Sequence, residues 1–281
     1  MIDRVGVVGL GKMGLPIARL MLAAKHEVAV YDVQPAAVEA AVRLGAIACA
    51  DPREVATRSD LMIVVVGFDS EVIEVVEAEN GLLAGAGQGA IIAVASTVLP
   101  ETMLRLAETA SKAGKGLDVL DIPLCRGEPA AEKGELLLLA GGDRQAFERA
   151  RPALQCFAND LYLLGGIGAG QVGKMINNLL LWACVSANYE GLKLGEALGV
   201  DSEVLREALL KSSGRNWALE TWLQPRPMPW AEKDMTFVMH EADECRLSLP
   251  LCGVIKEVIK GIKIEKGLAA PKARKPAERE S

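Results

Sequence analysis

Short runs rich in Val, Ile and Leu alternate with longer amphipathic stretches through the first 164 residues of the chain. The runs Val5–Val8, Val28–Tyr31, Leu61–Val66, Ala90–Val94, Leu117–Leu120, Leu136–Ala140 and Asp160–Leu163 predict strands. Between them, Met13–Ala24, Pro35–Leu44, Ser70–Glu77, Pro100–Ala113 and Asp143–Leu154 space their apolar residues three and four apart and predict helices. Such alternation predicts an α/β fold, a doubly wound parallel sheet covered by helices. From Gly170 onward the strand signals stop. Residues Val172 to Leu198 read as one helix, about 40 Å long at the α-helical rise. Helical patterns follow at Glu203–Lys211, Trp217–Trp222, Ala231–Arg246 and Leu251–Ile262. Pro225, Pro227 and Pro229 predict a rigid extended connector, because each removes a backbone donor and pushes its neighbour out of the helical region.

Composition narrows the function classes. The 281 residues carry 31 Lys plus Arg against 37 Asp plus Glu, a net charge of −6, with no dense basic run to follow a phosphate backbone, so no nucleic-acid partner is expected. The longest apolar stretches, Leu61–Val66, Leu136–Ala140 and Leu179–Val185, fall far short of a bilayer span, and no membrane crossing is expected. Met1-Ile-Asp-Arg-Val lacks the basic head and long apolar core of a signal peptide, which points to the cytoplasm. Six scattered cysteines without a C-x-x-C pair fit reduced thiols, and with two histidines, His26 and His240, the chain has little material for a His-centred triad or a metal cluster. No metal is expected, and both histidines read as structural.

The first strand runs directly into Gly9-Leu10-Gly11-Lys12-Met13-Gly14, and a helix follows. In a loop of this kind the first glycine permits the turn, the second lets backbone approach a pyrophosphate, and the third lets helix and strand pack closely. Asp32 closes the second strand, where a carboxylate accepts from a ribose hydroxyl. Together these predict a Rossmann-type dinucleotide-binding domain over residues 1–164. No arginine follows Asp32 to meet a 2′-phosphate, so NAD is favoured over NADP. Lys12 either touches phosphate or is a solvated surface residue. An all-helical domain is expected over 165–266 and a flexible tail over 267–281.

A second glycine cluster, Gly165 to Gly173, opens the long helix and nearly spells a P-loop, but Met175 offers no hydroxyl to magnesium where that motif needs Ser or Thr. Lys174, Asn177 and Asn178 stand at i, i+3 and i+4 and share one helix face. A cation and two amides on an otherwise apolar helix either line a polar cleft or mark an exposed first turn. In a cleft, lysine serves as general acid or base and asparagine orients an alcohol or carbonyl without titrating.

These residues resemble the β-hydroxyacid dehydrogenases, the 6-phosphogluconate dehydrogenase-like family that includes 3-hydroxyisobutyrate dehydrogenase and tartronate semialdehyde reductase. The resemblance covers nearly the whole chain and is most specific at Gly168-Ala-Gly-Gln-Val-Gly-Lys-Met-Ile-Asn-Asn178, which fits the family's G-x-G-x-x-x-K-x-x-N-N signature. It implies NAD-dependent interconversion of the alcohol and carbonyl of a small anionic substrate, with Lys174 as catalytic acid/base and Asn178 holding the reacting oxygen. Ser96-Thr97-Val-Leu-Pro-Glu-Thr102 resembles the family segment near the nicotinamide, and the Lys233-Asp234 pair resembles the one whose lysine closes over the cofactor. Trp217 lies in an element similar to one bordering the substrate pocket, although it also reads as core. The family habit implies a homo-dimer or homo-tetramer.

One loop departs from the family pattern. Where the family usually reads Asp-x-Pro-Val-Ser-Gly-Gly, this chain has Asp121-Ile-Pro-Leu-Cys125-Arg126-Gly127, partly similar to sulfolactaldehyde reductases. Arg126 is expected to anchor the anionic end of the substrate by its fork of donors, or else to bridge to a neighbouring acid such as Glu128 or Glu132. Cys125 reads as a small packing residue beside the substrate rather than a nucleophile. Two alternatives stand beside this reading. An imine reductase shares the architecture but usually lacks the lysine at position 174, and a non-catalytic dinucleotide-binding protein would use the same fold without the chemistry.

Overall fold

In the computed structural model, which describes residues 2–226 and 228–269, the chain divides into two compact units, Met1–Lys174 and Met175–Ser281. The first opens with β1 (Arg4–Val8), α1 (Gly14–Ala23), β2 (Glu27–Tyr31), α2 (Pro35–Arg43), β3 (Ile47–Ala48), α3 (Pro52–Thr57), β4 (Leu61–Val64), α4 (Asp69–Glu77), α5 (Leu82–Gly85) and β5 (Ile91–Val94). It continues through α6 (Pro100–Lys112), β6 (Asp118–Asp121), β7 (Leu124–Cys125), α7 (Gly127–Lys133), β8 (Leu136–Gly141), α8 (Arg144–Leu154) and β9 (Ala158–Gly165).

Every residue of β4 and β5 is buried, as in a parallel sheet covered on both faces. Successive side chains enter opposite layers: Leu61, Ile63, Ile91 and Ala93 join one apolar cluster, while Met62, Val64, Ile92 and Val94 join the other. The order β3-β2-β1-β4-β5-β6 is parallel throughout. It places the C-terminal ends of β1, β4 and β5 side by side, where ligands bind in open sheets of this type.

The far edge adds antiparallel pairing to the doubly wound sheet. Strand β8 runs antiparallel to β6, with Asp121 opposite Gly141, and antiparallel to β7, with Leu124 opposite Leu138. Residues 126–135 are too few for a parallel crossover, which takes about a dozen or more. The 11-residue helix α8 then suffices to bring β9 back parallel to β8.

The elements that the pattern does not predict, β3, α3, α5, β7 and α7, are two to seven residues long, shorter than the window in which a period is visible. Helix α3 carries a signal of another kind. Asp51 accepts from the Glu54 amide at 2.8 Å, Pro52 occupies the first turn, and the Glu54 carboxylate accepts from the Ala50 amide.

Helix α9 (Ala169–Ala197) starts in the first unit and continues into the second, three residues earlier than the periodicity suggests. Also in the second unit are α10 (Ser202–Leu209), α11 (Trp217–Glu220), α12 (Ala231–Glu244) and α13 (Pro250–Glu265). Trp182 and Val185 of α9, Met235 of α12 and Ile255 and Ile259 of α13 form its apolar core. Gln224–Arg226 and Met228 are outside any helix, as the connector reading expects; Pro227, and the expected tail beyond Ala269, lie outside the described residues. Among the described residues no helix is long and apolar enough to cross a membrane.

Candidate active site

The glycine loop between β1 and α1 is shaped by two close contacts and one opening. Gly9 has φ +94°, and a Cβ on it would lie 2.2 Å from the Val65 carbonyl oxygen. A Cβ on Gly14 would lie 1.9 Å from the carbonyl oxygen of Gly9, so the start of α1 can approach β1 only without a side chain there. Gly11 is exposed, and a Cβ on it would meet no atom within 4 Å. The first turn of α1 has no acidic residue and no side-chain cap, so its N-terminal dipole favours an anion from outside the helix.

Asp32 follows β2, and its carboxylate accepts from the Leu10 amide at 2.6 Å and the Gln34 amide at 2.7 Å. Those bonds fix the acid beside the glycine loop. An open glycine, a bare helix N-terminus and a fixed carboxylate fit a dinucleotide's pyrophosphate and ribose. Leu10 is buried and Met13 half-buried, so both shape the loop by packing. Lys12 is exposed and 3.1 Å from Glu128 of α7.

Beyond the C-terminal end of β6, Lys174 is half-buried and its ammonium donates to the Leu124 carbonyl at 2.7 Å. The thiol of Cys125 lies 4.0 Å from the same Nζ. Burial pushes that thiol up, against the pull of Lys174 and Arg126. It is 3% exposed, in keeping with a packing residue. Ser96 ends the turn after β5, where its buried hydroxyl accepts from the Val66 amide at 2.8 Å; Thr97 beside it is half-buried.

Arg126 has φ +81°, the left-handed region that glycine enters freely and L-residues enter at a cost of roughly 1–2 kcal/mol. Its guanidinium binds Asp160 at 2.6 Å, the Asn159 side chain at 2.8 Å and the Glu135 carbonyl at 3.0 Å. The acids expected as its alternatives are engaged elsewhere, Glu128 by Lys12 and Glu132 by Arg19. Gly127, also left-handed at φ +74°, begins α7.

In the second unit, the Asn177 side-chain amide donates to Oδ1 of Asn178 at 3.1 Å, and Asn178 is buried. Both lie within a turn of Lys174 along α9. Trp217 is 51% exposed with Arg226 over its ring at 5.6 Å, which corrects its reading as core. Lys233 stands over the rings of Trp230 and Phe237 at 5.0 and 5.1 Å.

Family comparison bears directly on this arrangement. The NAD-binding domain of 6-phosphogluconate dehydrogenase matches residues 4–166, and the NAD-binding domain of NADP-dependent 3-hydroxyisobutyrate dehydrogenase matches 168–271. The 3-hydroxyisobutyrate dehydrogenase of Pseudomonas aeruginosa is 34% identical over 263 residues, 88% of each chain. The chain belongs to the β-hydroxyacid dehydrogenase family. Another member, the 2-(hydroxymethyl)glutarate dehydrogenase of Eubacterium barkeri, is 31% identical over 92% of this chain and 88% of its own. The 3-hydroxyisobutyrate dehydrogenase of Mycobacterium tuberculosis, solved with L-serine, superposes with a TM-score of 0.84 at 25% identity, covering 94% of this chain and 95% of that one. Solved imine reductases match at 17% and 18% identity, a likeness of fold alone.

As a β-hydroxyacid dehydrogenase, the chain is an NAD(P)-dependent oxidoreductase acting on the CH–OH group of small hydroxy acids. Two buried residues that sequence reasoning passes over surround the lysine of this dehydrogenase. Asp121, fully buried at the end of β6, accepts from the amides of Gly168 at 2.8 Å and Gln171 at 2.9 Å. Gln171, also fully buried, donates to the Ser96 carbonyl at 2.9 Å and accepts from the Val98 amide at 3.2 Å. A signal for Asp121 exists in the chain: an acid ending an apolar strand run is costly to bury unless donors meet it.

Proposed function

We propose that this dehydrogenase oxidises a small hydroxy acid with NAD, with Lys174 as general base in that direction and general acid in the reverse. The observation that carries the reading is the Lys174 ammonium, half-buried and aimed by a 2.7 Å bond to the Leu124 carbonyl. A lysine so held keeps two further N–H bonds for a substrate oxygen. Held by the glycine loop and Asp32, the nicotinamide cofactor would supply the hydride acceptor for oxidation and the hydride donor for reduction. In oxidation Lys174 acts as the neutral amine, taking the hydroxyl proton to become the ammonium as the C–H bond breaks, and in reduction that ammonium gives the proton to the carbonyl oxygen. Asn178, one turn along α9, holds that oxygen by an amide that does not titrate. Ser96, Thr97, Cys125 and Gly127 form the wall near the reacting carbon, Trp217 borders the substrate, and Lys233 attends the cofactor. Residues 1–164 serve as the cofactor domain and 165–266 as the substrate domain.

Preference for NAD over NADP rests on Asp32, whose fixed carboxylate repels a 2′-phosphate. In a spectrophotometric panel of 3-hydroxyisobutyrate, glycerate, serine and hydroxy-sulfonates, kcat/KM with NAD is expected to exceed that with NADP by about tenfold or more, the ratio set by one unfavourable charge contact. Equal rates with both cofactors would remove Asp32 from this role, and NAD binding without turnover on the whole panel would remove the activity.

Arg126 is proposed as a strut. Its bonds to Asp160, Asn159 and Glu135 tie the turn before α7 to β9 and to the approach of β8. Arg126→Ala is then expected to lower the thermal midpoint and leave KM for the hydroxy acid unchanged. A steep rise in KM would return the guanidinium to the substrate's anionic end.

A cytoplasmic location is supported by six unpaired cysteines among the described residues. Assembly as a homo-dimer or homo-tetramer is supported by exposed Ile176 and Leu180 on α9, one turn apart.

A further inference from the structure

We infer that Asp121 is the positioning residue that sets where the Lys174 amine stands. The inference rests on the acid/base reading of Lys174 for its catalytic consequence, but not for its geometry.

Asp121 is 0% exposed, and its partners are backbone amides. Oδ1 accepts from Gly168 and Oδ2 from Gln171, with the Gly170 amide contributing as well. Both oxygens therefore act as acceptors, the pattern of a carboxylate. Burial pushes its carboxyl up from the usual range, and the amides oppose that shift. All three donors flank or form the first turn of α9, whose N-terminal dipole favours a negative charge.

The room for this carboxylate is made by glycines. A Cβ on Gly141 would lie 2.5 Å from Oδ1, and one on Gly170 would lie 2.7 Å from Oδ2. Three residues further along the same strand direction, the Leu124 carbonyl takes the Lys174 ammonium. The segment 121–124 thus holds α9 at two points, its first turn by a carboxylate and its lysine by a carbonyl. Gln171 adds a third point through Ser96 and Val98. With the helix start fixed against β6, the Lys174 side chain extends to the Leu124 carbonyl.

Asp121→Asn keeps the shape but not the acceptors. Its amide nitrogen would face a backbone N–H, donor against donor, and the helix start must shift. A misplacement of about 1 Å costs on the order of 10²-fold in rate. Asp121→Asn is therefore expected to lower kcat with 3-hydroxyisobutyrate by about 10- to 100-fold, with KM for NAD unchanged.

The decisive readout needs no turnover: the rate of reductive methylation of Lys174, measured by mass spectrometry against Lys115 of the same molecule. Lys115 is bound to the Leu83, Ala84 and Ala86 carbonyls, before β6 and so at the opposite end of that strand from Asp121, and serves as the internal reference. In Asp121→Asn, Lys174 is expected to react about fivefold faster relative to Lys115, the Boltzmann factor of one net hydrogen bond. General loosening would raise both lysines together and leave the ratio at its wild-type value, which overturns the inference. If Asp121→Asn does not fold, Gly168→Ala decides the matter by the same ratio. Its Cβ would meet nothing closer than 3.5 Å, while the left-handed backbone at φ +88° is disturbed where it donates to Asp121. A Lys174→Ala variant measured alongside separates the two claims. Activity in Lys174→Ala together with a changed methylation ratio in Asp121→Asn ends the acid/base reading and keeps the positioning; no activity in Lys174→Ala together with an unchanged ratio in Asp121→Asn ends the positioning alone.

Discussion

Lys174→Ala is expected to lower kcat by about 10²–10⁴-fold while NAD binding stays as in the native protein. The separation follows from where the lysine stands. Its ammonium is held by the Leu124 carbonyl, beside Cys125, whereas the proposed cofactor cradle is built on Gly9, Gly11, Gly14 and Asp32. Removing the amine takes away the proton acceptor and leaves that cradle intact. Lys174→Arg sharpens the test, because a guanidinium keeps the positive charge but does not give up a proton in the working range. Both variants should be inactive if proton transfer is the role. An active arginine variant would make the charge alone sufficient, and near-native turnover in the alanine variant would end the assignment. Steady-state rates with titration calorimetry of NAD make the comparison.

The second large effect concerns two glycines only three residues apart. Gly14→Ala and Gly11→Ala are both expected to weaken NAD binding by about tenfold or more, yet only the first should destabilise the free protein. At Gly14 the added methyl would lie 1.9 Å from the Gly9 carbonyl oxygen, so β1 and α1 must separate. Overpacking of that kind costs about 1–3 kcal/mol, and about 1.4 kcal/mol is a tenfold change in affinity. At Gly11 the methyl meets no protein atom within 4 Å and stands where a pyrophosphate would approach. Calorimetric melting of both variants without cofactor, followed by NAD titration, checks the contrast. A Gly11→Ala protein with native affinity would remove the loop from phosphate binding.

Much of this architecture is legible in the chain before any coordinates. Val5–Val8 ending on Gly9 is a strand feeding a glycine turn, and the Lys174, Asn177 and Asn178 spacing is a helix face. Both are local, and local periodicity carries them. The reversal of direction at β8 is not local, because it depends on the short length of residues 126–135 and on pairing with strands laid down earlier. The partners of Arg126 eluded the reading for a related reason. Asn159 and Asp160 are more than thirty residues away, and nothing in the chain ranks them above the nearby Glu128 and Glu132. Asp121 is a harder case still, since the groups that meet it are backbone amides, which every residue but proline possesses.

The glycine-lined seat of Asp121 also constrains how this chain can change. Positions 121, 141 and 170 lie far apart in the gene, yet the carboxylate and the two missing methyl groups occupy one volume. A side chain gained at 141 or 170 collides with an acid retained at 121, and an acid lost there strands the amides of α9. No single replacement leads out of the arrangement without passing through a damaged protein. The three codons are expected to drift as one, and libraries aimed at new substrates do best to leave all three untouched while varying the loop from Cys125 to Gly127.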